Sequence, residues 1–172
     1  ECTHGYDDDR HDLESSEPVD LPPGLVGYLT SGSLLASHPG VTSDVSGILM
    51  LPQGPLLVDS QPILTSNGEG PVRGAFVLGR WLDETTLAHL GTQTRLDLVV
   101  TEASAGTLPL QVRDAVAAPD AGADIVVVPQ GPDAIAGYAV LRDIFGEPAV
   151  VMQVDMPRPI YAQGAASVRY FM

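Results

Sequence analysis

The sequence predicts an α+β fold: two small antiparallel sheets with helices flanking them. Three observations predict it. An octapeptide occurs twice, as ILMLPQGP from Ile48 to Pro55 and as IVVVPQGP from Ile125 to Pro132. Short apolar runs alternate with turns in a chain holding 18 Gly and 15 Pro, which calls for many tight reversals. Short helical patterns with recognisable ends fall between these runs.

The repeat comes first, because an internal repeat decides how the rest is parsed. Its offset is 77 residues, from Pro52 to Pro129, and the register persists. Leu64 matches Leu141, Pro71 matches Pro148 and Val77 matches Val154, while Asp20-Leu21 matches Asp97-Leu98. A shared turn alone is common chemistry. A sustained register points to duplication or to a shared supersecondary unit. Each copy reads as three successive strands. In the first they are Gly47–Leu51, Leu56–Leu64 and Val72–Leu82, with turns at Pro52-Gln53-Gly54-Pro55 and at Ser66-Asn67-Gly68-Glu69-Gly70. Asn-Gly is a strong hairpin signal because both positions tolerate positive φ. In the second copy they are Asp124–Val128, Ala134–Leu141 and Ala149–Asp155, with Phe145-Gly146-Glu147-Pro148 as the later turn. Short connections imply antiparallel meanders.

The helices follow in order. Pro22–Leu29 is a short one with Pro at its start. Asp83 caps a second over Asp83–Leu90, with Leu87 and Leu90 on one face and Gly91 at the end. Pro109–Val116 is a third. Pro159–Met172 is a fourth, with no stop signal before the last residue, and it is expected to run onward out of the domain. The organisation is therefore an acidic leader over residues 1–20, a first lobe over 21–93 and a second over 94–172, splitting near Thr92–Arg95. Two such lobes in tandem resemble PAS or Cache folds.

Charge excludes whole classes of partner. There are 22 acids against 8 bases, every base is Arg, and the net charge is −14. Nucleic acid needs a basic surface, and so does an anionic bilayer. The acidity reads as solubility or as attraction of a cationic ligand. Eight acids fall in the first 20 residues. A calcium loop there needs a central Gly and a twelfth-position Glu, but counting from Asp7 those positions hold Asp12 and Pro18. Cys2 stands alone, so an internal disulfide is impossible. No run of 18 apolar residues is present. The start at Glu1 rather than Met suggests a piece of a longer protein.

No constellation asks for a cofactor, a metal or a catalytic triad. The four His (His4, His11, His38 and His89) sit in no recognisable motif, and no Gly-x-Ser-x-Gly elbow occurs. A hydrolase would need one of them beside a Ser or Cys in a cleft. The polar residues inside the strands are the better candidates. Arg80 shares parity with Val72, Phe76, Leu78 and Leu82. A charge in phase with an apolar face is either paired or aimed into a cavity. Asp143 shares parity with Ile135, Ala139 and Leu141, and Arg142 with Tyr138 and Val140. These residues read either as end-of-strand salt bridges or as a ligand clamp, since Arg binds carboxylates bidentately. Gln61 and Tyr138 occupy equivalent places under the offset and could line a pocket. The candidate ligand-binding residues are thus Arg80, Asp143, Tyr138, Gln61 and Arg142.

One region resembles a known family. Pro62-Ile63-Leu64-Thr65-Ser66, Gly68-x-Gly70-Pro71, Arg73-Gly74, Gly79-Arg80 and Leu82-Asp83 are similar to the fourth type of CHASE sensor domain. So are Asp143-Ile144-x-Gly146-x-Pro148, the tail from Pro157-Arg158 through Ser167, and Gly5-Tyr6-Asp7. Gln61 departs from the pattern, which usually has Arg there, and the family's N-terminal helix and first strands are expected to be missing from the first lobe. The resemblance implies a non-enzymatic sensory domain of a membrane receptor such as a histidine kinase. It would lie outside the cell or in the periplasm, be tethered to the membrane and respond to an unknown small molecule; the alternative is a dimerisation or structural module without a ligand. Exposed strand edges would favour a homodimer.

Overall fold

A computed structural model describes residues 20–118 and 125–158 of the chain. The acidic leader up to residue 19, with Cys2, His4 and His11, and the C-terminal helix expected over 159–172 lie outside the described residues. The described chain is α+β, with two antiparallel sheets.

The first sheet is a meander of β1 (Val45–Leu51), β2 (Gly54–Pro62) and β3 (Ala75–Trp81). Leu51 pairs with Gly54, so Pro52-Gln53 is a two-residue turn. Asp83 then caps α1 (Glu84–Thr94) by accepting from Thr86 N at 2.8 Å. The helix ends where Arg95 turns left-handed and Leu96 N reaches back to Gly91 O. Gly91 is required there, because a Cβ would stand 2.9 Å from Leu96 O. The second sheet holds β4 (Asp97–Glu102), β5 (Ile125–Pro129), β6 (Ala134–Arg142) and β7 (Pro148–Pro157), in the order β4-β7-β6-β5. Between β4 and β5 lies α2 (Leu110–Ala117).

Three local expectations change. The strand β4 is an addition: Asp97–Glu102 is short and finds its partner β7 some fifty residues later, so no local signal marks the pairing. The helix expected over Pro22–Leu29 is only one 3-10 turn, Leu25–Tyr28, preceded by Gly24 at φ 93. The third strand begins at Ala75 rather than Val72, although Arg73 N still donates to Ile63 O.

The repeat is preserved in the backbone and altered in the packing. Moved by the 77-residue offset, Leu57↔Arg80 becomes Ala134↔Pro157 and Pro62↔Ala75 becomes Ala139↔Met152, and both are real pairs. The first hairpin does not follow. Ile48 pairs with Leu57, whereas its equivalent Ile125 pairs with Ala139. The buried faces are also exchanged. On β2, Leu56, Val58 and Ser60 are buried; on β6, Ala136, Tyr138 and Val140 are. Those sets have opposite parity under the offset, so Gln61 is exposed while its equivalent Tyr138 is in the core. The two units share a ladder without sharing a core design.

Three clusters hold the chain together. Leu25, Leu35, Leu49, Leu51, Leu56 and Val58 pack one face of the first sheet against residues 20–44. Val112 of α2 packs with Ala136, Tyr138, Val140 and Val151 on one face of the second. The third cluster joins the sheets: Ile48 and Leu82 meet Ala149 and Val150, with Leu57, Leu87, Leu90, Val100 and Leu141 around them. Helix α1 covers this joint through Leu87 and Leu90.

Because this cluster belongs to both sheets, they are expected to unfold together. Urea denaturation followed by Trp81 fluorescence and by far-ultraviolet circular dichroism should give coincident midpoints; separated midpoints would mean independent sheets. Leu49→Ala should lower stability by about 2–5 kcal/mol. The hydrogen bond from Thr86 N holds the Asp83 carboxyl below the usual range. Its stabilisation is present above the unfolded-state pKa and fades as pH falls through the lowered folded-state value. The difference in Tm between wild type and Asp83→Ala should therefore be largest near neutral pH and vanish in acid.

Candidate functional site: the latch between the sheets

The turn between β6 and β7 is built to be stiff. The ladder is irregular between Leu141 and Arg142, which ends regular pairing at the turn. The Asp143 carboxylate accepts from Phe145 N at 2.8 Å and from Glu147 N at 2.9 Å. Asp143 N donates to Glu147 O, and Gly146 N donates to Asp143 O. Arg142 Nη1 donates to Gly146 O at 3.1 Å, and Nη2 donates to Ala118 O at 3.4 Å, where α2 ends. Hydrogen bonds to an ionised side chain are the stronger kind, so the turn keeps its shape as a unit.

This turn is inserted into the first sheet. Ile144 N donates to Ile48 O at 2.9 Å, and Asp143 forms a parallel bridge with Ile48 at the open edge of β1. The Ile144 side chain packs against the first sheet's core. It lies over Gly47, where a Cβ would come within 3.0 Å of Ile144 Cγ2 and where φ is 155°. The Phe145 ring meets Tyr28 with centroids 5.8 Å apart. On the other face, Leu141 joins Ile48 and Val150 in the shared cluster beneath α1. The turn is thus held from two sides, by the segment before β1 and by α1, and β7 leaves it towards the C-terminus.

The five residues singled out by sequence separate into different roles. Arg142 and Asp143 both build the latch. Tyr138 is 3% exposed in the second core, with its hydroxyl 3.4 Å from Gln130 Nε2. Gln61 is exposed and reaches only Asp59, at 3.4 Å. Arg80 is exposed on β3, on the same face as Gln61. The row Arg80, Leu57, Ile48, Asp143 runs across neighbouring strands. Three strand spacings separate its ends by about 14 Å, too far for Arg80 and Asp143 to hold one functional group of a ligand between them. The motif Asp143-Ile144-x-Gly146-x-Pro148 marks the turn in the sequence, but Ile144 and Gly47 are not among the candidate site residues.

One histidine proves buried. His38, 8% exposed, places Nε2 2.9 Å from Ser60 Oγ and Nδ1 3.1 Å from Ser43 Oγ. A buried Ser-His pair invites a hydrolytic reading, and the geometry removes it. Ser60 is 0% exposed and donates its proton to Leu35 O at 2.6 Å. With its proton held by Leu35 O, Ser60 Oγ is not poised as a nucleophile, and among the described residues no carboxylate hydrogen-bonds to the His38 ring. Ser43 likewise donates to Gly40 O at 2.6 Å. The triad of side chains pins the loop over 35–43 onto β2. Among the described residues every buried side-chain polar atom has a partner, and no group of three or more His, Cys, Asp or Glu could hold a metal ion.

Two outcomes follow for the site. Asp143→Ala should cost about 1–3 kcal/mol, because two backbone N–H groups lose a charged acceptor, and Asp143→Asn should cost less since Oδ1 still accepts. The measurement is urea denaturation of the three chains side by side. Ser60 should remain unlabelled by a serine-directed fluorophosphonate, read by intact mass.

The methanogenesis regulatory histidine kinase FilI of Methanothrix harundinacea (strain 6Ac) is 28% identical over 147 residues, covering 86% of this chain. The chain spans 16% of that kinase's length. No solved structure matches. No helix among the described residues is long and apolar enough to cross a membrane. The CHASE4 domain profile matches residues 5–101, from the leader through β1, β2, β3 and α1 and into β4. That is more than half of the chain, which therefore belongs to the CHASE4 family of sensor domains.

Proposed function

We propose that this chain is the extracytoplasmic sensory part of a transmembrane signalling receptor of the histidine-kinase kind, built from two PAS-like lobes. The first would be residues 21–93 and the second 94–172. The observation that carries the reading is the latch. A sensory domain must pass a change in one part to the strand that leaves it, and the only covalent exit from the second sheet towards the C-terminus runs through β7. The inserted turn joins β1 of the first sheet to the start of that strand.

Two packings of the latch would serve as the two signalling states. A ligand shifts such an equilibrium only by its differential affinity for the states. On this reading the ligand is a small molecule with a polar or charged group, met by Arg80 and Gln61 on the exposed part of the first sheet's α1-side face. Tyr138 supports the second core, and Arg142 and Asp143 transmit. The second sheet supports the same picture: β4 lies beside β7, α2 crosses over, and β5 to β7 complete a meander, an arrangement compatible with a PAS-like lobe.

Two measurements test the proposal. A thermal-shift screen of the chain against amino acids, carboxylates and polyamines should give a hit that Arg80→Ala abolishes; a hit indifferent to Arg80→Ala would move the ligand elsewhere. In the full-length receptor, cysteine accessibility from outside the cell should place the domain on that side. Ile144→Ala there should change autophosphorylation in response to the hit while binding persists. A domain facing the cytoplasm would overturn the reading.

A further inference from the structure

Both ring nitrogens of the buried His38 face hydroxyls that are already committed. Nε2 lies 2.9 Å from Ser60 Oγ and Nδ1 lies 3.1 Å from Ser43 Oγ. Each hydroxyl also stands 2.6 Å from a carbonyl oxygen, Ser60 from Leu35 O and Ser43 from Gly40 O. A carbonyl oxygen can only accept, so each of these contacts takes the one proton its hydroxyl has. Both hydroxyls then turn a lone pair to the ring, and the ring can donate to both only when doubly protonated. A neutral imidazole has a single N–H, so one of the two hydroxyls has to turn its proton round to the ring.

The carbonyls select which hydroxyl turns. Among the described residues Leu35 O accepts from Ser60 Oγ and from no other donor, and Leu35 and Ser60 are both 0% exposed. A buried carbonyl stripped of its donor is costly, so Ser60 stays as it is. Gly40 O has a second donor, Ser43 N at 3.2 Å, and remains satisfied without Ser43 Oγ.

We infer that Nδ1 of His38 is a proton-binding site whose occupancy is read by the Ser43 hydroxyl. With Nδ1 protonated, the ring donates to Ser43 Oγ and the hydroxyl donates to Gly40 O. When Nδ1 loses its proton, the hydroxyl turns to donate to Nδ1, and Gly40 O is left to the Ser43 amide. The arm from Nε2–H through Ser60 to Leu35 O is the same in both states. One end of the clasp is thus fixed and the other switches. The switching end lies two residues before β1, whose first residue, Val45, pairs with Ser60. The same strand carries Ile48 O, the acceptor of the latch. A proton at His38 is therefore a ligand placed at the head of the strand to which the second sheet is fastened.

Other charges stand away from this site. Val45 and Val77 flank Ser60 on the face that receives the ring, while Asp59 and Arg80 have the opposite parity and lie on the other face. Asp44 follows Ser43 in the chain and is exposed. Glu69 and Arg73 belong to the loop between β2 and β3, whose Gly70 lies beside Val41. Asp20 and Tyr28 belong to the segment before the loop. Among the described residues the ring bonds to none of them, and its charge is answered by the two hydroxyls alone.

Nuclear magnetic resonance of the 15N-labelled 172-residue chain, from about pH 4 to about pH 9, tests the inference. Long-range 1H–15N correlation of the His38 ring reports which nitrogen carries a proton. The expected result is Nε2 protonated throughout and Nδ1 protonated at the acid end and bare at the alkaline end. The amide resonances of Val41, which shares its peptide with Gly40 O, and of Ser43 should shift with the same midpoint as the ring. In Ser43→Ala that shared titration should be lost. A neutral ring carrying its proton on Nδ1, or a ring whose protonation never changes, would overturn the inference. So would Val41 and Ala-variant amides that follow the ring as closely without the Ser43 hydroxyl as with it.

Discussion

The backbone contact between Ile48 and the Asp143–Ile144 turn is the constraint on which the arrangement depends. β1 is an edge strand, and an open edge leaves N–H and C=O groups to be satisfied. The turn supplies one donor, to Ile48 O, and packs Ile144 against the first sheet's core. Because Asp143 holds the turn in one conformation, the contact is made by a rigid body rather than by a loose loop. Movement of β1 must then be answered at the start of β7. Gly47 is the first sheet's accommodation to this contact, since a Cβ there would press on Ile144 Cγ2 at 3.0 Å.

Around this joint the two sheets use the same ladder for different ends. β2 and β6 hold matching registers with β3 and β7, but they bury opposite faces. In the first sheet the segment before β1 takes one face, fastened by His38 between Ser43 and Ser60. In the second sheet α2 takes the face opposite in parity. Among the described residues, α1 alone covers the other face of the second sheet, at one corner.

Much of this was legible in the sequence, and the rest had physical reasons to be hidden. The meanders could be read because turn residues and apolar runs are local signals. Asp83 as a cap could be read for the same reason. The strand β4 could not, because its partner β7 is remote and its six residues carry no turn of their own. The parity of Arg80 with Phe76 and Leu78 suggested a cavity, but an edge strand with a partly covered face leaves such a charge in water. The offset made Gln61 and Tyr138 equivalent, while burial separated them, since register fixes pairing and not which face is covered. His38 looked like a loop residue before Pro39. Its burial depends on Ser60, 22 residues away on β2.

The central claim is that the β6–β7 turn couples the two sheets into one mechanical unit. Native-state hydrogen exchange on wild type and Ile144→Ala tests it most directly. The account predicts that the variant loses protection at Val58 on β2 and Val140 on β6 alike. Loss confined to the amides of residues 143–147, with both sheets as protected as before, would contradict it.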